Sequence, residues 1–297
     1  MTKLKNMHNE IADMVEGKKI GYIDIPMHFN IGDLLIYLGT EEFFKKKNLN
    51  IVYRSSLNFN LKKLDKVDVI MFHGGGNFGD LYEIHQSLRE SIIKKFPNKK
   101  IICLPQSIHF NSIQSQKKSA TLFMQHPDFH FYVRDKESFK IAQEFSPNAK
   151  LMPDMAHSLH PLVDISEVNK CDNISRILNL RRNDIESVDS NFHRDINKRP
   201  FDWDNIISPS NRLIGQAIIY LNKFAPHKSI LYWKKMSETL LFESTNYFYI
   251  HDAIYSDRLH GIILSTLLGK KIKLYDNSYG KNQRYFSCWL NDYPFLL

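Results

Sequence analysis

The sequence predicts an α/β protein built on a doubly wound parallel sheet, and three observations predict it. Short apolar runs alternate with helical patterns over the first ~150 residues, the order that βαβ units impose. Polar residues gather where those runs end: Asn30/Asp33, His73/Asn77, Gln106/His109, Arg134/Asp135 and Asp154. Open α/β sheets bind ligands at the carboxyl ends of their strands. Finally, 297 residues at 43% hydrophobic and 24% charged suffice for one large domain or two modest ones, and exclude a disordered chain.

The elements follow in order. Residues 3 to 15 form a short helix, and Lys19 to Ile25 a first strand. The helix expected from Leu34 to Lys46 buries Leu34, Leu35, Leu38 and Phe43 along one face. Between them lies Asn30-Ile-Gly-Asp33, either a ligand-facing loop or a helix cap with Asp33 as N-cap. A short strand at Asn50 to Arg54 precedes the stretch around which the chain is organised, Val67 to Asp80. Its run Val67 to Phe72 predicts a buried parallel strand. His73, Gly74, Gly75, Gly76, Asn77, Gly79 and Asp80 follow, then a helical pattern from Tyr82 to Phe96. Strand, glycine turn and helix together offer backbone N–H groups to an anion. A strand at Lys100 to Leu104 ends in Pro105-Gln106. A helix covers 115 to 126, and a strand from Phe129 to Val133 ends in Arg134-Asp135. A helix from Lys136 to Phe145 and a strand from Ala149 to Met152 complete an N-terminal domain of residues 1–165.

Pro161 and the polar run 166–173 mark the boundary, leaving residues 166–297 as a smaller C-terminal domain. It opens with a strand at Arg176 to Leu180, ending in Arg181-Arg182. A polar stretch with Pro200 and Pro209 predicts a long loop over 185–210, of the kind that is more often functional than idle. Helical patterns cover Arg212 to Phe224 and 235 to 243. Ser256-Asp-Arg258-Leu259-His260-Gly261 leads an apolar helix, Ile262 to Leu268. Lys271 to Tyr275 is the next strand, Asp276 to Lys281 a turn, and Gln283 to Leu290 the last helix.

Composition bounds the partners. The formal charge is +8, mostly from scattered lysine pairs. A solvated surface is the default; attraction to anionic substrates or an anionic membrane face is the functional alternative. No basic helix interleaved with aromatics points to nucleic acid. Cys103, Cys171 and Cys288 lack zinc or disulfide spacing. No apolar signal core begins the chain, and no run approaches the ~20 residues that span a bilayer. The expected setting is cytoplasmic, with contact at the inner membrane face left open.

Arg258 and His260 fall in the first turn of a helix, where bending backbone lets both face one cleft and the dipole favours an anion. Arginine grips carboxylate or phosphate bidentately, and histidine moves protons near neutral pH. The structural alternative is an Arg258–Asp257 ion pair with His260 as a satisfied cap. Arg134, with Asp135 as its structural partner, and Lys281 are further candidate cations. His73, His109 and His260 do not have the spacing of a metal cluster, and no nucleophile elbow or Walker loop appears.

Six motifs occur in order: Asn30-x-Gly-Asp33, His73-Gly-Gly-Gly-Asn-Phe-Gly-Asp80, Leu104-Pro-Gln-Ser-Ile108, Val133-Arg-Asp135, Ser256-Asp-Arg-Leu-His-Gly261 and Asp276-Asn-x-Tyr-Gly-Lys281. Together they resemble the polysaccharide pyruvyl transferases of bacterial exopolysaccharide and cell-wall synthesis, from about residue 19 to 290. The resemblance implies two Rossmann-like domains facing across a cleft, as in GT-B glycosyltransferases. It implies phosphoenolpyruvate as donor substrate without further cofactor, and a glycan or lipid-linked sugar as acceptor, giving a pyruvate ketal. It places Arg134, Arg258, Leu259 and His260 at the donor. By position, Asp33 or Asp80 would be the base, and Asn30, His73, Gly75, Gly76, Asn77, Gln106 and Lys281 would line the substrates. The region 185–250 does not match the family pattern. The alternatives are a GT-B-type glycosyltransferase using a nucleotide sugar, and a sugar- or anion-binding module without chemistry; Arg134, Arg258 and His260 together argue against the latter.

Overall fold

The computed structural model describes residues 1–162, 174–182, 201–276 and 280–297. The polar run 166–173, Cys171, residues 185–200 of the expected loop and Tyr279 lie outside the described residues.

The first sheet is parallel and contains β1 (Ile20–Ile23), β2 (Ile51–Arg54), β3 (Val69–Phe72), β4 (Gly75–Phe78), β5 (Lys100–Ile108), β6 (Phe129–Val133) and β7 (Asn148–Leu151). Its order is β2-β1-β3-β5-β6-β7, with β4 paired to the far end of β5. The helices of this half are α1 (Thr2–Met7), α2 (Asn9–Met14), α3 (Ile31–Lys46), α4 (Leu61–Leu64), α5 (Glu83–Lys95), α6 (Ile113–Met124) and α7 (Lys136–Ala142). Alternation along β3 shows why both faces are covered. Val69 and Met71 join a core with Leu34 and Ile36 of α3, whereas Ile70 and Phe72 join one with Ile92 of α5 and Phe123 of α6. A strand buried on both sides can be apolar throughout, as this one is.

The rest of the chain supplies a second parallel sheet, β8 (Ile177–Leu180), β9 (Ala253–Ser256) and β10 (Lys271–Leu274), in the order β10-β9-β8. Its helices are α8 (Pro209–Leu221), α9 (Pro226–Tyr249), α10 (Leu259–Leu267) and α11 (Lys281–Trp289). Helix α3 is buried on nearly all sides because Trp233 of α9 and Ile262 of α10 join its core.

Four elements differ from expectation. The glycines after β3 do not turn into a helix: Gly75–Phe78 runs as β4, and one 3-10 turn, Asp80–Tyr82, intervenes before α5. Gly75 takes φ 127, a conformation that side chains rarely adopt. Strand β5 does not end at Pro105. Its pairing with β3 stops at Cys103 and its pairing with β4 starts at Gln106, so the missing proline N–H falls where no ladder bond is required. Asn30, not Asp33, caps α3, its Oδ1 accepting from Gly32 N at 3.0 Å. Finally α9 is 24 residues long, far beyond the expected 235–243. Its surface residues are polar or singly apolar and blur the periodicity.

Candidate active site

A cleft of about 410 Å³ opens where the carboxyl ends of β1 and β3 face the start of α10. The order in which strands are added reverses at β1, β2 lying on one side and β3 on the other, so the loops after β1 and β3 splay apart and leave a crevice. The described lining includes Asn30, Asp33, His73, Gly76, Asn77, Arg134, Arg258, Leu259, His260 and Lys281.

Arg134, Asp154 and His260 form one cluster at this wall. Arg134 follows β6 directly and donates from Nη1 to Asp154 Oδ2 at 2.6 Å and from Nε to Ser107 Oγ at 2.9 Å. His260 Nε2 stands 3.4 Å from both Asp154 Oδ2 and Arg134 Nη1. Burial alone would raise the Asp154 carboxyl. The His260 hydrogen bond, the charges of His260 and Arg134 and the Ala156 N–H outweigh it and hold the pKa far below the carboxylate range. Helix α11 locks this cluster from behind. Tyr285 Oη accepts from Asp154 N at 3.0 Å, and Trp289 Nε1 donates to the Arg134 carbonyl at 2.8 Å. Gly32 gives His260 its place, because a Cβ there would lie 2.7 Å from the ring Nδ1. The Arg134–Asp135 pair expected from sequence does not form. Asp135 instead caps α7 through Ser138 N at 2.8 Å.

Arg258 is the N-cap of α10, with extended backbone. That bend separates it from the helical path and lets it and His260 line one cleft. Its structural partner is Asp202 rather than Asp257: Nε donates to Oδ1 at 2.9 Å and Nη2 to Oδ2 at 2.5 Å. Asp257 instead accepts from Arg182 N at 2.9 Å. Arg182 and Lys281 add two further cations to this side.

The opposite wall holds His73, Asn77, Asp24 and His85. His73 Nδ1 meets Tyr22 Oη at 2.6 Å, and its buried Nε2 has no partner among the described residues. Burial pushes this ring down to about 4, so it is neutral at pH 7. Asp24 sits at φ 67 just after β1. Its carboxylate accepts from Arg89 Nη2 and meets His85 Nδ1, each at 2.6 Å. Burial would raise the Asp24 carboxyl, but Arg89 and His85 outweigh it and lower the pKa. Arg89 is fully buried and also donates to Asn77, to the carbonyl at 2.9 Å and to Oδ1 at 2.5 Å. Asp33 lines the cleft with His28 Nε2 3.7 Å away.

Three expected site residues do not line it. Asp80 accepts from Asn111 N at 2.7 Å and Ser112 N at 3.0 Å, tying down the loop after β5. Gln106 is buried and donates to the His73 carbonyl at 2.7 Å, so it positions His73 from behind. Gly75 shapes the β4 backbone, and the lining glycines are Gly74 and Gly76. Sequence reasoning passed over Asp24, His85, Arg182, Asp202 and Asn282. A signal existed for two of them: Asp24 ends the first strand, and Arg182 ends β8. Among the described residues no group of three or more His, Cys, Asp or Glu side chains is placed to hold a metal ion.

Comparison with known proteins gives this geometry a family. The polysaccharide pyruvyl transferase profile matches residues 30–277, which include His73, Asn77, Arg134, Arg258 and His260 of the cleft. The chain belongs to the polysaccharide pyruvyl transferase family. It is 35% identical to a Bacillus subtilis (strain 168) protein named "Putative pyruvyl transferase EpsO", covering 99% of this chain and 92% of that one. It is 28% identical to Pyruvyl transferase 1 of Schizosaccharomyces pombe, over 92% of this chain and 70% of the relative. A crystal structure of an uncharacterised Klebsiella pneumoniae protein shares the fold with a TM-score of 0.62 at 21% identity, covering 100% of this chain and 98% of that chain. No described helix of this pyruvyl transferase homologue is long and apolar enough to cross a membrane.

Proposed function

We propose that the protein moves the pyruvyl group of phosphoenolpyruvate onto two hydroxyls of a sugar in a polysaccharide or its precursor, forming a ketal and releasing phosphate. The observation that carries this reading is the joining of His260 to Arg134 and Asp154 in a cleft that Arg182, Arg258 and Lys281 also line. Phosphoenolpyruvate carries a phosphate and a carboxylate on three carbons, and needs cations at two points with an acid between them. In this reading residues 1–165 and 166–297 are two Rossmann-like domains facing across the cleft in a GT-B-like arrangement, with one arginine from each. Closure would exclude the water that hydrolyses the intermediate.

His260, hydrogen-bonded to Asp154, delivers a proton to the methylene carbon. An oxocarbenium centre forms at C2, and the first sugar hydroxyl attacks it. The C2–O bond to phosphate then breaks, and the second hydroxyl closes the ketal. One hydroxyl proton replaces the one His260 gave, and the other leaves with phosphate. We assign the acceptor-side base to His85, held by Asp24, with Asp33 as the other carboxylate in reach of the cleft. His73, neutral and given a hydrogen bond by Tyr22 at Nδ1, carries its proton on Nε2 and donates it to a substrate oxygen.

The test is phosphate release from phosphoenolpyruvate with a panel of galactosides, glucosides and mannosides. Acceptor-dependent release should fall by about 10²–10⁴ in His260→Ala and in His85→Ala. Asp33→Asn should keep far more of the release than His85→Ala. Absence of release, with stabilisation by nucleotide sugars and none by phosphoenolpyruvate, would transfer the cleft to a glycosyl donor.

A further inference from the structure

The α8–α9 hairpin carries a surface that the cleft does not account for. No acidic residue occurs between Asp204 and Glu238, a stretch that holds Arg212, Lys223, Lys228, Lys234 and Lys235. Two of these cations are engaged, Arg212 with Asp204 and Lys234 with Glu41. Lys223, Lys228 and Lys235 are exposed. Leu213 and Tyr220 of α8 are 69% and 61% exposed and, seven residues apart, share one helix face; Phe224, beyond the helix end and 71% exposed, sets its ring 5.4 Å from that of Tyr220. Leu231 and Tyr232 extend the patch onto α9, and Lys223 Nζ lies 5.4 Å from the Tyr220 ring centre.

The inner face of the same hairpin is fixed to the rim of the cleft. Trp233 Nε1 donates to the Pro26 carbonyl at 2.6 Å, and Phe29 packs edge-on against Trp233 at 5.8 Å. Pro26, His28 and Asn30 line the cleft. Whatever holds the outer face therefore sits one loop away from the substrates.

We propose that this outer face docks on an anionic lipid bilayer and presents the cleft to an acceptor sugar carried in that membrane. The delivery of an acceptor rests on the transfer reading; the docking does not. Tyrosine and phenylalanine rings settle at the headgroup level while lysines reach anionic phosphates, and each alone binds weakly. A second copy of the chain is a poorer fit, because a two-fold contact sets this patch against itself and brings lysines together.

Sedimentation with vesicles, without any substrate, tests the docking. The chain should pellet with vesicles of equal parts phosphatidylglycerol and phosphatidylcholine and stay in solution with pure phosphatidylcholine. Added salt should weaken the binding. Tyr220→Ser/Phe224→Ser and Lys223→Glu/Lys228→Glu should each bind at least about tenfold more weakly. Both variants should keep wild-type circular dichroism and wild-type phosphate release with a soluble acceptor. No wild-type binding, equal binding to both vesicles, or a wild-type dimer that the serine variant makes monomeric would overturn the proposal. If vesicles bind and no acceptor is turned over, the transfer reading fails and the docking stands.

Discussion

Two arginines, one from each half of the molecule, face the same cleft and are held in different ways. Arg134 is fixed on every side: Asp154 and Ser107 take its guanidinium, Trp289 takes its carbonyl, and Tyr285 holds Asp154. Arg258 meets the carboxylate of Asp202, which caps a short 3-10 turn that Asn205 closes in a capping box. The first arrangement is dry and continuous with the core. The second sits at the end of a loop whose preceding residues lie outside the described structure. The difference separates a half-site continuous with the core, beside His260, from one built on a short turn nearer the surface.

The largest test of that contrast is pH. His8, His73 and His157 all belong to the Arg134 half, and burial lowers them to about 4, 4 and 3. The unfolded chain takes up these protons near pH 6.5, whereas the folded chain does not until far lower pH. Stability therefore falls as pH drops through that window, by about 5 kcal/mol between pH 7 and pH 5. In the other half burial raises the Asp257 carboxyl. Its contribution has the opposite sign, complete below the unfolded value and lost as pH rises through the folded one. Urea unfolding at pH 7, 6 and 5 measures the sum, and equal midpoints across that range would mean the histidines are not buried as described.

Next in size is a pair of carboxylate substitutions. Asp154→Asn leaves Arg134 buried without its counter-charge and should cost about 3–5 kcal/mol, together with nearly all phosphate release. Asp202→Asn touches a pair nearer the surface, so it should cost about 1–2 kcal/mol and act mainly by raising KM for phosphoenolpyruvate. Equal losses of stability in the two variants would erase the distinction between the half-sites.

The legibility of the sequence divides along the same line. The first sheet could be located from apolar runs of four to six residues because strands buried on both faces leave no alternation to misread. Its polar strand ends led to Asn30, His73, Asn77 and Arg134, since position after a strand is a local property. Asp202, Asp24 and His85 were missed for a physical reason. Asp202 meets Arg258 across 56 residues of chain and Asp24 meets His85 across 61, and nothing local records either pairing. The glycine run was misjudged as a turn because the partner that makes it a strand, Gln106 to Ile108, lies beyond a proline that normally ends one. Helix α9 was under-read because exposed Leu231, Tyr232, Phe242 and Tyr249 interrupt its buried stripe of Trp233, Leu240 and Phe248.

Asp80 offers the smallest and sharpest check on how position and role separate. It stands in the same motif as His73 and Asn77, and on position it was as good a base as Asp33. Its two oxygens instead accept backbone N–H groups of Asn111 and Ser112, away from the cleft lining. Asp80→Ala should cost about 1 kcal/mol through those two bonds and leave phosphate release and its pH profile at wild-type values. Asp33→Asn, by comparison, should change acceptor KM with little effect on stability, because Asp33 lines the cleft and caps nothing. If Asp80→Ala abolished turnover while the unfolding midpoint stayed constant, the loop after β5 would have to move Asp80 into the cleft during the reaction, and the wall built on Asp24 and His85 would be incomplete.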